Sequence, residues 1–234
     1  MPRLTPDVPF DLVHVGKCGG SSIVEELRSR GFRFEHVHMR RPVPEPGRQY
    51  AVLVRDPVAR FVSAFNWRCH LLGEDLLPAA RLQDPIVRLR HRTEWEFLSQ
   101  FENVNAFAER LVRTNGREVS AMATLMQLIG HVPQGFAWYL DGLLDRIAPG
   151  QLAAVIATER LADDCEAAFG FRPTAERNRH YASRGASLSP QGRANLAREL
   201  NDEYRALRRL ANLARREGVP LAVEYDPARG AVSG

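Results

Sequence analysis

The sequence predicts an α/β fold with a parallel central sheet, helices on both faces and a helical insertion in the middle of the chain. Three observations carry this prediction. Short apolar runs bounded by turn residues occur at 10–15, 50–54 and 152–158; a stretch of helical periodicity follows each; and the region from 93 to 147 repeats its apolar residues at helical spacing with no strand signal between. In such a fold, ligands sit beyond the carboxyl ends of the strands.

Each element has its own signal. Phe10–Val15 is apolar and lies between Pro9 and Gly16, which predicts a buried strand; Ser21–Arg30 carries Ile23, Val24 and Leu27 on one helical face and stops at Gly31. Phe32–Met39 alternates, with Phe32, Phe34, His36 and His38 on one side of an extended segment. After a Pro-rich loop, Tyr50–Val54 is a second compact strand, and Asp56-Pro57 caps a helix running to about Leu72. Residues 73–92 read as irregular. Thr93 with Glu96 forms a capping box, Asn103 caps a helix over Asn105–Arg113, and Glu118–Ile129 and Phe136–Ile147 are periodic. Leu152–Thr158 is a further strand, followed by a short helix ending near Gly170. An Arg-rich loop leads to one long helix from Ser189-Pro190 to Gly218, with Leu196, Leu200, Tyr204, Leu207 and Leu210 as its apolar stripe. One domain is expected over 1–225, with 226–234 as a disordered tail.

Composition narrows the function classes. The 234 residues are 44% apolar and 26% charged, and 32 Lys plus Arg against 28 Asp plus Glu leave a net charge of +4. That is too little for a nucleic-acid coat and suits an anionic small ligand. Arg greatly outnumbers Lys, so Lys17 stands out as a point-charge phosphate contact. Cys18, Cys69 and Cys165 are odd in number and widely spaced, which indicates neither a disulfide framework nor a zinc site. The first residues lack the pattern of a secretory signal and no run of 18 apolar residues occurs, so a cytoplasmic protein without a membrane partner is expected.

The segment from His14 to Ile23 reads HVGKCGGSSI and falls between a strand and a helix. Backbone N–H groups there can converge on an anion at the helix N-terminus, Gly19 and Gly20 allow the tight turn, Ser21 and Ser22 add hydroxyl donors, and Lys17 brings a positive charge. An ordinary strand-to-helix turn with a serine cap has the same ingredients, but the setting favours a phosphate. In a Walker A loop the lysine directly precedes the hydroxyl residue, whereas Lys17 precedes the glycines, which disfavours ATP or GTP hydrolysis. The stretch closely resembles the 5'-phosphosulfate-binding loop of PAPS-dependent sulfotransferases (PAPS is 3'-phosphoadenosine-5'-phosphosulfate). It is most similar to the carbohydrate-type branch, whose loop reads like HIPK[TC]GG[TS]S; Gly16 stands where that branch usually has proline. The resemblance implies a P-loop-like three-layer fold, PAPS as sulfuryl donor with PAP as product, and Gly16, Lys17, Cys18, Gly19, Gly20, Ser21 and Ser22 as its 5' contacts.

A second segment, LVRDPVARFVSAF from Leu53 to Phe65, sets Arg55 at a strand end and Ser63 two turns into the next helix. An Arg can fork onto two phosphate oxygens while a Ser adds a third bond. Alone, RDPxxR is weak, since Asp56-Pro57 is a common helix start and Arg60 could pair with a nearby acid. The segment resembles the 3'-phosphate motif of the same family, which implies that Arg55 and Ser63 hold the 3'-phosphate. Both motifs in family order, about forty residues apart, are more specific than either alone.

His36 and His38 lie between the motifs and admit three readings: a metal pair, ordinary half-buried histidines, or a catalytic base with a helper. A metal would need further ligands, and no Cys or Glu-x-x-His pattern accompanies the pair. The base reading has a chemical motive, because a hydroxyl must lose its proton as it attacks sulfur. Placement between the motifs resembles the HxH element of uronyl 2-O-sulfotransferases, which implies a catalytic role for His36 or His38, with Lys17 stabilising the leaving group. Glu35 is a lesser candidate. In the Arg-rich loop, Arg184 with Gly185 matches the place where the family closes a basic loop over the 3'-phosphate. Trp67 either lines a cleft or belongs to the core.

The resulting expectation is in-line transfer of a sulfuryl group from PAPS to an acceptor hydroxyl, on a glycan or a small molecule, with no metal required. A kinase on the same scaffold, a non-catalytic nucleotide-binding module and an HxH metal protein are the rivals.

Overall fold

The computed structural model describes residues 3–74, 83–111, 124–173, 187–221, 223–228 and 230–233. It is an α/β structure with a four-stranded parallel sheet and eight α-helices among the described residues, consistent with a three-layer arrangement. The chain divides into two compact units: Met1–Pro57 with Gln134–Arg177 and Asn201–Gly234, and Val58–Pro133 with Asn178–Leu200.

The first unit holds the sheet. Its strands β1 (Phe10–His14), β2 (Phe34–Val37), β3 (Gln49–Val54) and β4 (Leu152–Ala157) run parallel in the order β2-β1-β3-β4. β1, β3 and β4 are almost wholly buried, which is why they read as continuous apolar runs rather than as alternating ones. Because β2 lies on one side of β1 and β3 on the other, the chain reverses its winding at β1. The carboxyl ends of β1 and β3 therefore flank the topological switch point, where open α/β sheets form their ligand crevice.

Helices of this unit are α1 (Gly20–Ser29), α5 (Phe136–Leu144), α6 (Leu161–Phe169) and α8 (Asn201–Arg216). α1 buries Ile23, Val24 and Leu27, the three residues its periodicity selects. α8 turns Tyr204, Leu207, Leu210 and Ala214 inward and packs on α5 and β4. Phe10, Phe32, Phe34, Phe169 and Phe171 form an aromatic cluster at the amino-terminal end of the sheet, Phe10 lying 5.7 Å from Phe34 and 5.8 Å from Phe169. An antiparallel hairpin, β5 (Val223–Asp226) and β6 (Gly230–Ser233), occupies the segment whose last nine residues read as a tail.

The second unit is helical. It comprises α2 (Pro57–Gly73) from Val58 onward, α3 (Pro85–Leu98), α4 (Val104–Glu109) and α7 (Pro190–Glu199). Phe61, Phe65, Phe97, Phe101 and Phe107 make its core, with Phe107 5.5 Å from Phe61 and 5.2 Å from Phe101. Asn103 caps α4 as its sequence predicts, and Asn195 on α7 donates to the carbonyl of Ala108 at 3.0 Å.

Two boundaries differ from the expectation. α3 starts at Pro85, capped by Asp84, whose carboxylate accepts from Ile86 and Val87 N–H; Thr93 lies mid-helix instead of capping one. Asp84-Pro85 is the same start signal as Asp56-Pro57, and it outranks the capping box. The long final helix breaks at Leu200 into α7 and α8, where Asn201, Asp202 and Glu203 open a new first turn. Of the periodic stretch 118–129, the described part contains the 3₁₀ turn Met126–Leu128.

Candidate functional site

The site is built at the carboxyl edge of the first unit's sheet. β1 ends at His14 and the chain turns through Val15–Gly19 before α1 begins. Lys17 is the chain's only lysine, and its φ of 72° is a left-handed conformation that a residue with a Cβ adopts at a cost. Gly19 is the N-cap, also left-handed at φ 75°, and offers no side-chain oxygen to the first-turn N–H groups. Left-handed residues on either side of Cys18 turn the main chain sharply ahead of α1, the kind of conformation from which anion nests are made. Gly16, Cys18, Gly20 and Ser22 are buried, Lys17 and Gly19 are half-buried, and Ser21 is exposed.

Arg55 follows β3 directly. Because β3 lies beside β1, its guanidinium reaches the loop, and Nη1 donates to the carbonyl of Lys17 at 3.0 Å. The strand end is held by its neighbours: Thr158 Oγ1 donates to the carbonyl of Val54, Glu159 accepts from Asp56 N–H at 2.8 Å, and Tyr204 donates to the buried Asp56 carboxylate at 2.9 Å. Tyr225 of β5 donates to the other Glu159 oxygen at 3.0 Å, and burial, then Glu159, pushes its phenol far above the ordinary range. The sequence places Tyr204 only in the apolar stripe of the final helix and marks neither Glu159 nor Tyr225, since none of the three carries a motif and they come from three later segments.

The histidines form the second part of the site. Register pairs Leu12 with His36 and Val13 with Val37, so His14 comes level with His38, and all three rings share one face of the β1–β2 pair. His14 Nδ1 and His36 Nε2 share a hydrogen bond of 2.9 Å. The His14 and His38 rings stack at 4.3 Å, and His38 Nδ1 lies 2.8 Å from the His14 carbonyl. A carbonyl only accepts, so that nitrogen carries the hydrogen and the lone pair of neutral His38 sits on Nε2. Met39, left-handed at φ 58°, donates its N–H to the hydroxyl of buried Tyr139, which fixes the turn that aims His38. Burial first, then the nearby charges of His38 and Arg28, lowers the pKa of His36. The sequence reading took His14 only as the start of the loop; its signal was the Phe10, Leu12, His14 alternation beside His36 and His38.

Gly20 joins the two parts. A Cβ at this position would lie 2.3 Å from the His14 ring, so the first residue of α1 and the imidazole touch directly. Glu35 faces away from the cluster, paired with Arg40 and near Arg48.

Comparison of this chain with protein families, curated proteins and solved structures returned no match. What the site can do therefore rests on its own chemistry.

The remaining expected residues divide as follows. Ser63 lies half-buried on α2 and belongs to the second unit, as does half-buried Trp67, whose ring is 6.1 Å from that of His70. Arg60 has no exposed surface and donates to the carbonyl of His131 at 2.8 Å. Arg184 and Gly185 lie outside the described residues. Cys18, Cys69 and Cys165 form no disulfide, and burial pushes the Cys165 thiol up to about 12, beyond reactivity at neutral pH. No described helix is long and apolar enough to cross a membrane.

Proposed function

We propose that the chain is a PAPS-dependent sulfotransferase with a P-loop-like fold that transfers a sulfuryl group to an acceptor hydroxyl. The observation that carries the reading is the bond from Arg55 to the Lys17 carbonyl: two motifs about forty residues apart in sequence meet at adjacent carboxyl ends of parallel strands. That edge is also the switch point where a nucleotide would bind.

In this mechanism the curled loop 16–22 holds the 5'-phosphosulfate with its N–H groups, and the Lys17 ammonium neutralises charge growing on the bridging oxygen as the S–O bond to the nucleotide breaks. Arg55 holds the 3'-phosphate, since a guanidinium has donors beyond the one given to Lys17. The acceptor oxygen forms the new S–O bond, and its proton passes to Nε2 of His38, whose Nδ1–H is committed to the His14 carbonyl. His36, with its lowered pKa and its bond to His14, is the helper. The acceptor is a hydroxyl on a sugar or a small molecule.

Titration calorimetry with PAP and AMP tests the donor site. PAP should bind more tightly than AMP, and Arg55→Ala should erase the difference; equal binding of both nucleotides by the wild type would refute the 3'-phosphate assignment. Incubation with sulfur-labelled PAPS and acceptor pools tests transfer. His38→Ala should abolish label incorporation while PAP binding persists.

A further inference from the structure

We infer that His14, His36 and His38 form a binding site for a borderline divalent transition-metal ion, zinc first among them. Each imidazole offers one nitrogen, and the three nitrogens all lie within 4.8 Å of one another. A tetrahedral zinc ion with Zn–N bonds of about 2.0–2.1 Å needs its ligand nitrogens about 3.3 Å apart. The closest pair, His14 Nδ1 and His36 Nε2 at 2.9 Å, has to open only slightly to admit an ion in place of the shared hydrogen.

Three features go beyond mere proximity. The rings of His14 and His36 are inclined by only 18° and meet nitrogen to nitrogen, so an ion between them lies close to both ring planes, where the lone pairs point. His38 donates Nδ1–H to a backbone carbonyl, the outer bond that fixes tautomer and orientation in metal-bound histidines, and this leaves Nε2 as its ligand atom. The backbone of all three is set by the parallel β1–β2 ladder and by the Met39 turn; the His38 ring, stacked 4.3 Å from that of His14 and within 2° of parallel to that of His36, has to turn to aim Nε2 at an ion lying between the other two. Three histidines leave a fourth position for water or a ligand oxygen, and an all-imidazole set selects zinc, copper, nickel or cobalt over magnesium or calcium.

This site stands independently of the proposed sulfuryl transfer. It also gives that reaction an off-switch, because a nitrogen that holds an ion cannot accept the acceptor's proton.

The test is calorimetry on tag-free full-length protein titrated with zinc and, separately, magnesium, with the cobalt complex followed by visible absorption. Expected are one zinc per chain, no magnesium binding, and the intense visible band of four-coordinate cobalt. His36→Ala and His38→Ala, checked for fold by circular dichroism, should each weaken zinc by at least about 100-fold, the upper end of the effect of losing an outer partner. His70→Ala, a histidine of the second unit, should leave zinc affinity unchanged. Absence of saturable zinc binding, or binding undiminished in the His36→Ala plus His38→Ala double variant, would overturn the assignment. Neither result depends on whether the protein binds PAP, so this inference and the transfer reading can fail separately.

Discussion

Gly20 has space for a hydrogen and nothing larger, since a methyl group would stand 2.3–2.5 Å from three atoms of the His14 ring. Helix backbone lies on one side and a buried imidazole on the other, so relief requires the ring to move. Gly20→Ala should therefore destabilise the protein by about 1–3 kcal/mol, as overpacking does, and should also break the bond between His14 and His36; chemical denaturation and the histidine ring NMR signals would report the two effects. Lys17 allows a cleaner experiment, because it holds the only side-chain amine in the chain. An amine-selective reagent labels Lys17 and the N-terminus alone, and PAP should protect Lys17 from it. If the proposed sulfuryl transfer holds, Lys17→Ala should lower it about 10²–10³-fold, the loss typical of removing one preorganised stabiliser of developing charge, while the fold survives because the side chain is half exposed. The candidate residues of the loop were legible because a charge, two glycines and two serines follow one another in sequence. His14 was not, because its role depends on the register of β1 against β2, and register is a property of two segments together.

At the level of elements, capping across the chain decides what local signals cannot. The first N–H groups of α5, from Phe136 and Ala137, donate to the carboxylate of Glu203 on α8, nearly seventy residues away. Gly135, the residue before α5, has no side chain to do this, and a Cβ there would collide with the Glu203 carboxylate. Glu203→Ala should cost about 0.5–2 kcal/mol in urea unfolding, the range for a lost N-cap. In the second unit α2 and α3 are joined by a buried fork, Arg68 Nε and Nη2 donating to the two oxygens of Glu94 at 2.6 Å each, and Gly130 N–H donates to the same carboxylate. Removing one partner strands a buried charge, so Glu94→Ala should cost about 3–5 kcal/mol. Arg68 also lies 2.9 Å from His91 Nδ1 and can only donate, so His91 is held neutral; burial first, then the Arg68 charge, lowers its pKa below the ordinary value of 6.5. The unfolded chain then binds this proton more tightly than the folded one. The stability tied to His91 is complete above pH 6.5 and declines as pH falls from there through the lowered folded pKa. Urea unfolding at pH 7.5 and 5.5 should show a smaller pH difference for His91→Gln than for the wild type.

For the whole molecule, the strand-loop-helix units at 10–30 and 50–72 were legible because both the apolar burial of parallel strands and the helix starts are local. The division into two units was not, because the second is assembled from 58–133 and 178–200, and its far boundary falls at Leu200, inside what reads as one apolar stripe. No periodicity distinguishes a stripe that faces one core throughout from one that changes core at a break. Strand order is equally non-local: β2-β1-β3-β4 sets the loop and Arg55 side by side, and any order separating β1 from β3 would have parted the two motifs. This arrangement supplies the test of the proposed donor site that involves the full chain. A ligand that binds only the folded state stabilises it by about 2.7 kcal/mol at 100 times its Kd. With about 2–4 °C per kcal/mol for a protein of 150–250 residues, PAP at that excess should raise the Tm by roughly 5–10 °C. AMP at the same concentration should raise it less, for want of the 3'-phosphate that Arg55 is proposed to hold. Lys17→Ala should reduce both shifts, since its proposed contact is at the 5' end, whereas Arg55→Ala should bring the PAP shift down to that of AMP. A variant in which Arg55→Ala lowers both shifts equally would reassign Arg55 as a strut for the Lys17 carbonyl and leave the loop alone as the anion site.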